Sequence, residues 1–121
     1  MGVDLMLLPM TTDFNGRAYA HTTLEVKRRH ELWPLIRALP SEPVPLHFET
    51  LVSIAGPPEW DFWVQGNTQM DSYENPVVCV LAEHLCSLAG HSAVAQEVIN
   101  RAAWAYLAQL PGEMRVALYW T

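Results

Sequence analysis

Arg115-Val116-Ala117-Leu118-Tyr119-Trp120 is the stretch that decides how this chain folds. In an extended segment successive side chains alternate between two faces, so Val116, Leu118 and Trp120 point one way and Ala117 and Tyr119 the other. Both faces are apolar. A strand with one wet face alternates apolar with polar residues, whereas a strand apolar on both faces belongs inside a covered sheet. The segment is therefore expected to be a central strand, with other strands beside it and helices packed on it.

Its neighbour comes from the other end of the chain. Val3 to Met10 reads as a strand, apolar on both faces around Met6–Leu8. Asn15-Gly16 follows, the pair favoured in type I′ hairpin turns. Folding about that turn sets Phe14 opposite Arg17, Leu7 opposite Leu24 and Leu5 opposite Val26. Met6 then meets Glu25 and Leu8 meets Thr23 on the other face. The match of apolar partners predicts a hairpin of Val3–Phe14 with Arg17–Val26. Pro9 cannot donate to a ladder, which predicts a bulge or break there. Thr22-Thr23-Leu24-Glu25 also has capping-box spacing, but the hairpin register and the β-branched content favour strand.

The rest alternates helix and turn signals. A first helix is expected from Val26 or Lys27 to Leu39, with Leu32, Leu35, Ile36 and Leu39 on one face and a kink at Pro34. Pro40, Pro43 and Pro45 then impose an extended link. Phe48, Leu51, Val52 and Ala55 have helical spacing, predicting a short helix over Leu46–Ile54. Asp61–Gln65 reads as a short strand before a turn at Gly66-Asn67. Val77-Val78-Cys79-Val80 reads as a strand running into a helix over Leu81–Ala89, with Gly90 as its C-terminal cap. Ser92 is expected to cap a last helix, Ala93–Gln109. Its apolar face is read as Ala95, Ile99, Ala102, Ala103, Tyr106 and Leu110, widened by Val94, Val98 and Ala105. The expectation is an α+β fold, a single domain over residues 1–121. It has a small, mostly antiparallel sheet made of the N-terminal hairpin and the C-terminal strand, with a further strand near 77–80. Three to four helices pack on it.

Composition narrows the function classes. Half of the 121 residues are apolar and 17% are charged, the balance of a globular chain. No stretch approaches about 20 continuous apolar residues, so no membrane helix is expected. Asp4 and the lack of a basic leader argue against a signal peptide. Two cysteines are too few for a disulfide scaffold, and a reducing cytoplasm is the default. The net charge is −6, and no Lys or Arg occurs from Ala38 to Asn100. That span holds Glu42, Glu49, Glu59, Asp61, Asp71, Glu74, Glu83 and Glu97. Such a segment repels phosphate backbones, so nucleic acid is disfavoured as a partner. It serves solubility, or it attracts a basic partner such as the groove of a nucleic-acid-binding protein.

Candidate sites are few. Trp60, Phe62 and Trp63 stand among acidic residues, and aromatics of this type are enriched at interface hot spots. The candidate protein contact is therefore Trp60, Asp61, Trp63, Asp71 and Glu74, although each aromatic is equally at home in a core. Arg17, Tyr19 and His21 share one face of the hairpin and form a candidate polar site. The competing reading is a partly buried histidine bonded to backbone. Arg28-Arg29 is a solvated helix surface or a small anion contact. Cys79, Cys86, His84 and His91 raise the question of zinc, but both pairs are spaced by seven, outside the usual ligand spacings. No metal or cofactor site is expected from them. Glu83-His84 are helix neighbours that point in different directions. There is no Gly-x-Ser-x-Gly elbow and no glycine-rich phosphate loop, so no catalytic residue is assigned.

Met1-Gly2-Val3-Asp4-Leu5-Met6-Leu7-Leu8-Pro9, His21-Thr22 and Arg28-Arg29-His30-Glu31-Leu32 open the chain. Asn100-Arg101-Ala102-Ala103-Trp104-Ala105-Tyr106-Leu107, Leu110-Pro111 and Val116-Ala117-Leu118-Tyr119-Trp120 close it. Together these stretches, about the first 40 and last 25 residues, resemble small uncharacterised proteins encoded by bacteriophages and prophages. The resemblance implies a bacterial cytoplasm and a dispensable, accessory role, and carries no functional residue with it. The leading expectation is a phage-derived accessory protein that binds another protein, such as a host or defence component. The alternatives are a small enzyme or small-molecule binder, and a self-assembling structural protein.

Overall fold

The computed structural model describes residues 4–12, 15–20, 22–45, 48–50, 63–65 and 68–121. Its main sheet has five strands: β1 (Leu5–Pro9), β4 (Leu24–Val26), β5 (Glu42–Pro43), β9 (Val78–Leu81) and β10 (Arg115–Trp120). Their order is β4-β1-β10-β9-β5, and every pairing is antiparallel. The C-terminal strand is thus the middle one. Leu5 pairs with Trp120 and Leu7 with Leu118 on one side, and Val116 with Val80 on the other.

The alternation read from the sequence divides the interior as expected. Val116, Leu118 and Trp120 join Leu5, Leu7, Val26 and Val80 in a core under the helices. These are α1 (Leu32–Arg37), α2 (Ala82–Cys86), α3 (Ser92–Ala95) and α4 (Val98–Ala108). Ala117 and Tyr119 belong to a second core on the opposite face, with Leu8, Met10, Val44, Phe48, Val77 and Cys79. That face also carries a small sheet of β2 (Thr11–Thr12), β3 (Ala18–Ala20) and β6 (Glu49–Thr50), in which β3 and β6 run parallel. A two-stranded ribbon, β7 (Trp63–Gln65) and β8 (Thr68–Met70), precedes β9. Each fully buried Leu or Phe of these cores contributes roughly 1.5–3 kcal/mol.

The predicted register of the hairpin holds in its outer part, where Leu5 faces Val26, Met6 faces Glu25 and Leu7 faces Leu24. Near the tip it shifts by one residue, with Thr11 opposite Tyr19 and Thr12 opposite Ala18. The extra residue lies between Tyr19 and Leu24, on the second strand, and the break expected at Pro9 is present, since β1 ends there and pairing resumes at Thr11. The ladder explains why Pro9 is tolerated. Asp4 and Met10 donate to Thr121 and Arg115, so even-numbered residues of β1 turn their N–H groups to β10. Pro9 therefore faces the β4 side, beyond the last pair at Leu7, where no donor is required. Gly16 has φ +80°, the left-handed conformation that a type I′ turn asks of its second central residue, while Phe14 at the turn's start lies outside the described residues.

Other expectations are corrected by named competitors. The first helix begins at Leu32, not Val26, because Val26 closes β4 and Asn100 holds the backbone of Lys27. Pro34 consequently sits in the first turn, where its missing N–H costs no helical bond and no kink is required. Glu49–Thr50 is strand rather than helix, drawn to β3 by parallel pairing, while residues 46, 47 and 51–54 of that expected helix lie outside the described residues. The expected strand at 61–65 is seen as Trp63–Gln65, paired with β8 across residues 66–67. The helix after β9 ends at Cys86, and Gly90 is not at positive φ, so it is no left-handed cap.

The last helix is two helices. His91, not Ser92, caps α3, its Nδ1 accepting from the Ala93 N–H at 3.0 Å. The carbonyl of Ala93 then accepts from the Asn100 side chain at 2.8 Å rather than continuing a helical ladder, and Glu97 is extended. The buried face of α4 is Asn100, Ala103, Trp104 and Leu107. Of the expected apolar face, Ala103 is buried and Leu110 half-buried, while Ile99, Ala102 and Tyr106 are exposed.

Candidate functional site

Asp71 organises the described part of the acidic segment. It follows β8 directly and is 2% exposed, one of two buried polar or charged residues among those described. One carboxylate oxygen accepts from the N–H groups of Tyr73 at 2.8 Å and Asn75 at 3.0 Å. Its own N–H donates to the Asn75 carbonyl, and Glu74 N–H donates to the Asp71 carbonyl. An aspartate that bonds backbone ahead of it closes a local turn without help from a partner strand. Here the turn forces Glu74 to φ +61°, a left-handed conformation that costs a residue with a Cβ roughly 1–2 kcal/mol.

The turn is fastened to the central strand. Ser72 donates its N–H to the Trp120 carbonyl at 3.2 Å, and its hydroxyl lies 3.1 Å from that of Tyr119. Trp120 in turn meets Trp33 edge to face, with centroids 5.4 Å apart. The Arg37 guanidinium lies 4.4 Å above the Trp120 ring, a favourable stacking of cation on aromatic face. Arg37, Asp71, Tyr73, Asn75, Pro76 and Trp120 line a cleft of about 460 Å³. Tyr73 is 47% exposed at its rim.

The candidate contact residues therefore divide. Asp71 is buried, shapes the turn and lines the cleft. Glu74 is exposed on that turn. The backbone of Trp63 lies in β7, and Trp60 and Asp61 lie outside the described residues. Tyr73, Arg37 and Trp120 were missed as site residues. Sequence offers one signal for Tyr73, its place two residues after an aspartate, but none for Arg37, which reaches the cleft from a helix remote in the chain.

Of the candidate polar site, Arg17 is exposed, Tyr19 is half-buried opposite Thr11, and His21 lies outside the described residues. A cleft of about 570 Å³ does open nearby, lined in part by Met10, Thr12, Ala18, Pro45, Glu113 and Arg115. Arg28 and Arg29 are each paired with a carboxylate, Asp4 at 2.9 Å and Glu31 at 2.8 Å.

Cys79 and Cys86 lie in the cores on opposite faces of the sheet, Cys79 with Tyr119 and Cys86 with the helices. They cannot share a ligand. Among the described residues no three His, Cys, Asp or Glu side chains group as metal ligands would. Burial pushes both thiols up in pKa; at Cys79 the Glu42 carboxylate adds to the rise. Neither has the lowered pKa of a nucleophilic cysteine. No helix among the described residues is long and apolar enough to cross a membrane.

In comparison with known proteins, the chain matches no family model, no curated protein and no solved structure.

Proposed function

We propose that this is a phage-type accessory protein of the bacterial cytoplasm that acts by binding another protein, through the 71–76 turn and the cleft beside it. One observation carries the reading. Tyr73 stands exposed on a turn already held by the Asp71 carboxylate and by two contacts from Ser72 to the central strand. A partner that docks on Tyr73 does not have to order the loop first, and such pre-organisation raises affinity without new contacts. Tyrosine is also among the residue types enriched at hot spots. The strained Glu74 supports the same site, because left-handed non-glycine residues gather where local geometry is imposed for function.

The partner's chemistry is basic with an apolar recess. The segment around the turn carries carboxylates from Glu42 to Glu97 and no Lys or Arg. The cation at the cleft, Arg37, is stacked on Trp120. A basic partner gains steering from such a field, and its recess takes Tyr73.

The test is capture from bacterial lysate on immobilised wild-type protein and on a Tyr73→Ala variant of equal melting temperature. A stoichiometric basic partner retained by the wild type and lost with Tyr73→Ala supports the site. No stoichiometric partner, or equal retention by both, rejects it. A second reading, small-molecule binding, is favoured only by the size of the cleft at Arg115, which falls within the range of ligand pockets.

A further inference from the structure

Among the described residues the exposed large hydrophobic side chains are Tyr73 and three on a single helix, Val98 at 63%, Ile99 at 41% and Tyr106 at 44%. Much of the face expected to be buried, namely Val98, Ile99, Ala102, Ala105 and Tyr106, is thus exposed on α4. With about 3.6 residues per turn, Val98, Ala102 and Ala105 point straight out. Ile99 and Tyr106 lie on the shoulder toward β4, where they line a groove with Leu24 and Glu25. Arg101 lies on the opposite shoulder. From Val98 to Gly112 the chain has no carboxylate, and its one charge is Arg101.

We propose that this face pairs with a second copy of the chain, about a two-fold axis running along α4. The choice of occupant rests on charge. Two copies at net charge −6 repel one another over most of their surfaces. The outer face of α4 is where that repulsion is least. Its two shoulders are complementary, for Arg101 stands on one and Glu25 on the other. Neither side chain makes an ion pair or hydrogen bond among the described residues. A two-fold parallel to the helix exchanges the shoulders, so Arg101 of each copy meets Glu25 and Tyr106 of the other. Both charges gain partners, and the contact is isologous as a closed dimer requires. Ala102 and Ala105 at its centre let the two helices approach closely.

The test is mass in solution, by light scattering on the full chain across a range of concentrations at low salt. The wild type is expected at twice the monomer mass, and Arg101→Glu and Glu25→Arg each at monomer mass with unchanged thermal melts. The double variant Arg101→Glu/Glu25→Arg restores the pair across the axis and is expected to return to the dimer. Tyr73→Ala, on the separate 71–76 turn, leaves the dimer intact, so this result is independent of the proposed partner site. A wild type that stays monomeric overturns the proposal, as does a dimer indifferent to Ala105→Glu. Failure of the double variant to recover overturns the pairing of Arg101 with Glu25 and hence the axis.

Discussion

The side chain of Asn100 pairs with both backbone polar groups of Lys27. Its oxygen accepts from the Lys27 N–H at 2.7 Å, and its nitrogen donates to the Lys27 carbonyl at 3.1 Å and to the Ala93 carbonyl at 2.8 Å. One fully buried amide thus continues the edge of the sheet past β4 and ends α3. Asn100→Ala strands three backbone groups. An unsatisfied buried group costs about 1–3 kcal/mol, so a loss of about 2–4 kcal/mol is expected by urea unfolding. Asn100→Asp is expected to destabilise as well, because a carboxylate cannot donate to either carbonyl. A variant within 0.5 kcal/mol of wild type contradicts this role, on the order of an ordinary surface substitution.

Asp71→Ala removes the acceptor of two amides and is expected to cost about 2–3 kcal/mol. Asp71→Asn keeps an acceptor oxygen and is expected to retain most of that stability. Glu74→Gly releases the left-handed strain and is expected to gain up to about 1 kcal/mol. Thermal melts of the three variants order them directly; a melt of Asp71→Ala equal to wild type means that the turn is held by something else.

These residues mark what the sequence could and could not disclose. The central strand and its neighbour were legible because period-two alternation is decisive when both faces are apolar, and Leu5, Leu7, Leu118 and Trp120 agree on one face. The outer face of α4 was not. A helix with Ala102, Ala103, Ala105 and Ala108 is weakly amphipathic, and the choice between the faces of Ile99 and Trp104 was made by one polar residue. Asn100 satisfies its bonds only inward, and the indole N–H of Trp104 finds the Leu85 carbonyl at 2.7 Å. Long-range partners of this kind leave no local spacing to read. The same holds for the cleft, where Asp71 and Glu74 were visible as acids but Arg37 arrives from another element.

Both thiols are expected to resist modification in the native protein. The thiolate is the reactive form, and burial raises the pKa of Cys79 and Cys86. Cys86 is half-buried and reacts first; Cys79 reacts at the rate of unfolding. The linkage has a definite sign. Above the ordinary thiol pKa of about 8.5 the unfolded chain releases protons that the native state keeps, so this contribution lowers stability as pH rises. Labelling with a thiol reagent at pH 8, with and without urea, reads the rates, and rapid native labelling of Cys79 is the contrary result.

If the cleft beside Arg115 holds a small molecule, a compound that occupies it raises the melting temperature by mass action, and at a hundred times its dissociation constant adds about 2.7 kcal/mol. Arg115→Ala, which removes a lining cation and its contact with Glu42 at 3.3 Å, is expected to abolish that shift. A screen that leaves the melt unmoved removes the second functional reading and leaves protein binding.

The organising element is β10, sheltered by β1 and β9 and by a core on each face. Amide hydrogen exchange tests that placement most directly. The amides of Val116 to Tyr119 are expected to exchange only through global unfolding, with the same free energy as the urea transition, while those of the edge strands β4 and β5 exchange faster. Amides of β10 that exchange as fast as those of β4 or β5 would contradict a central strand.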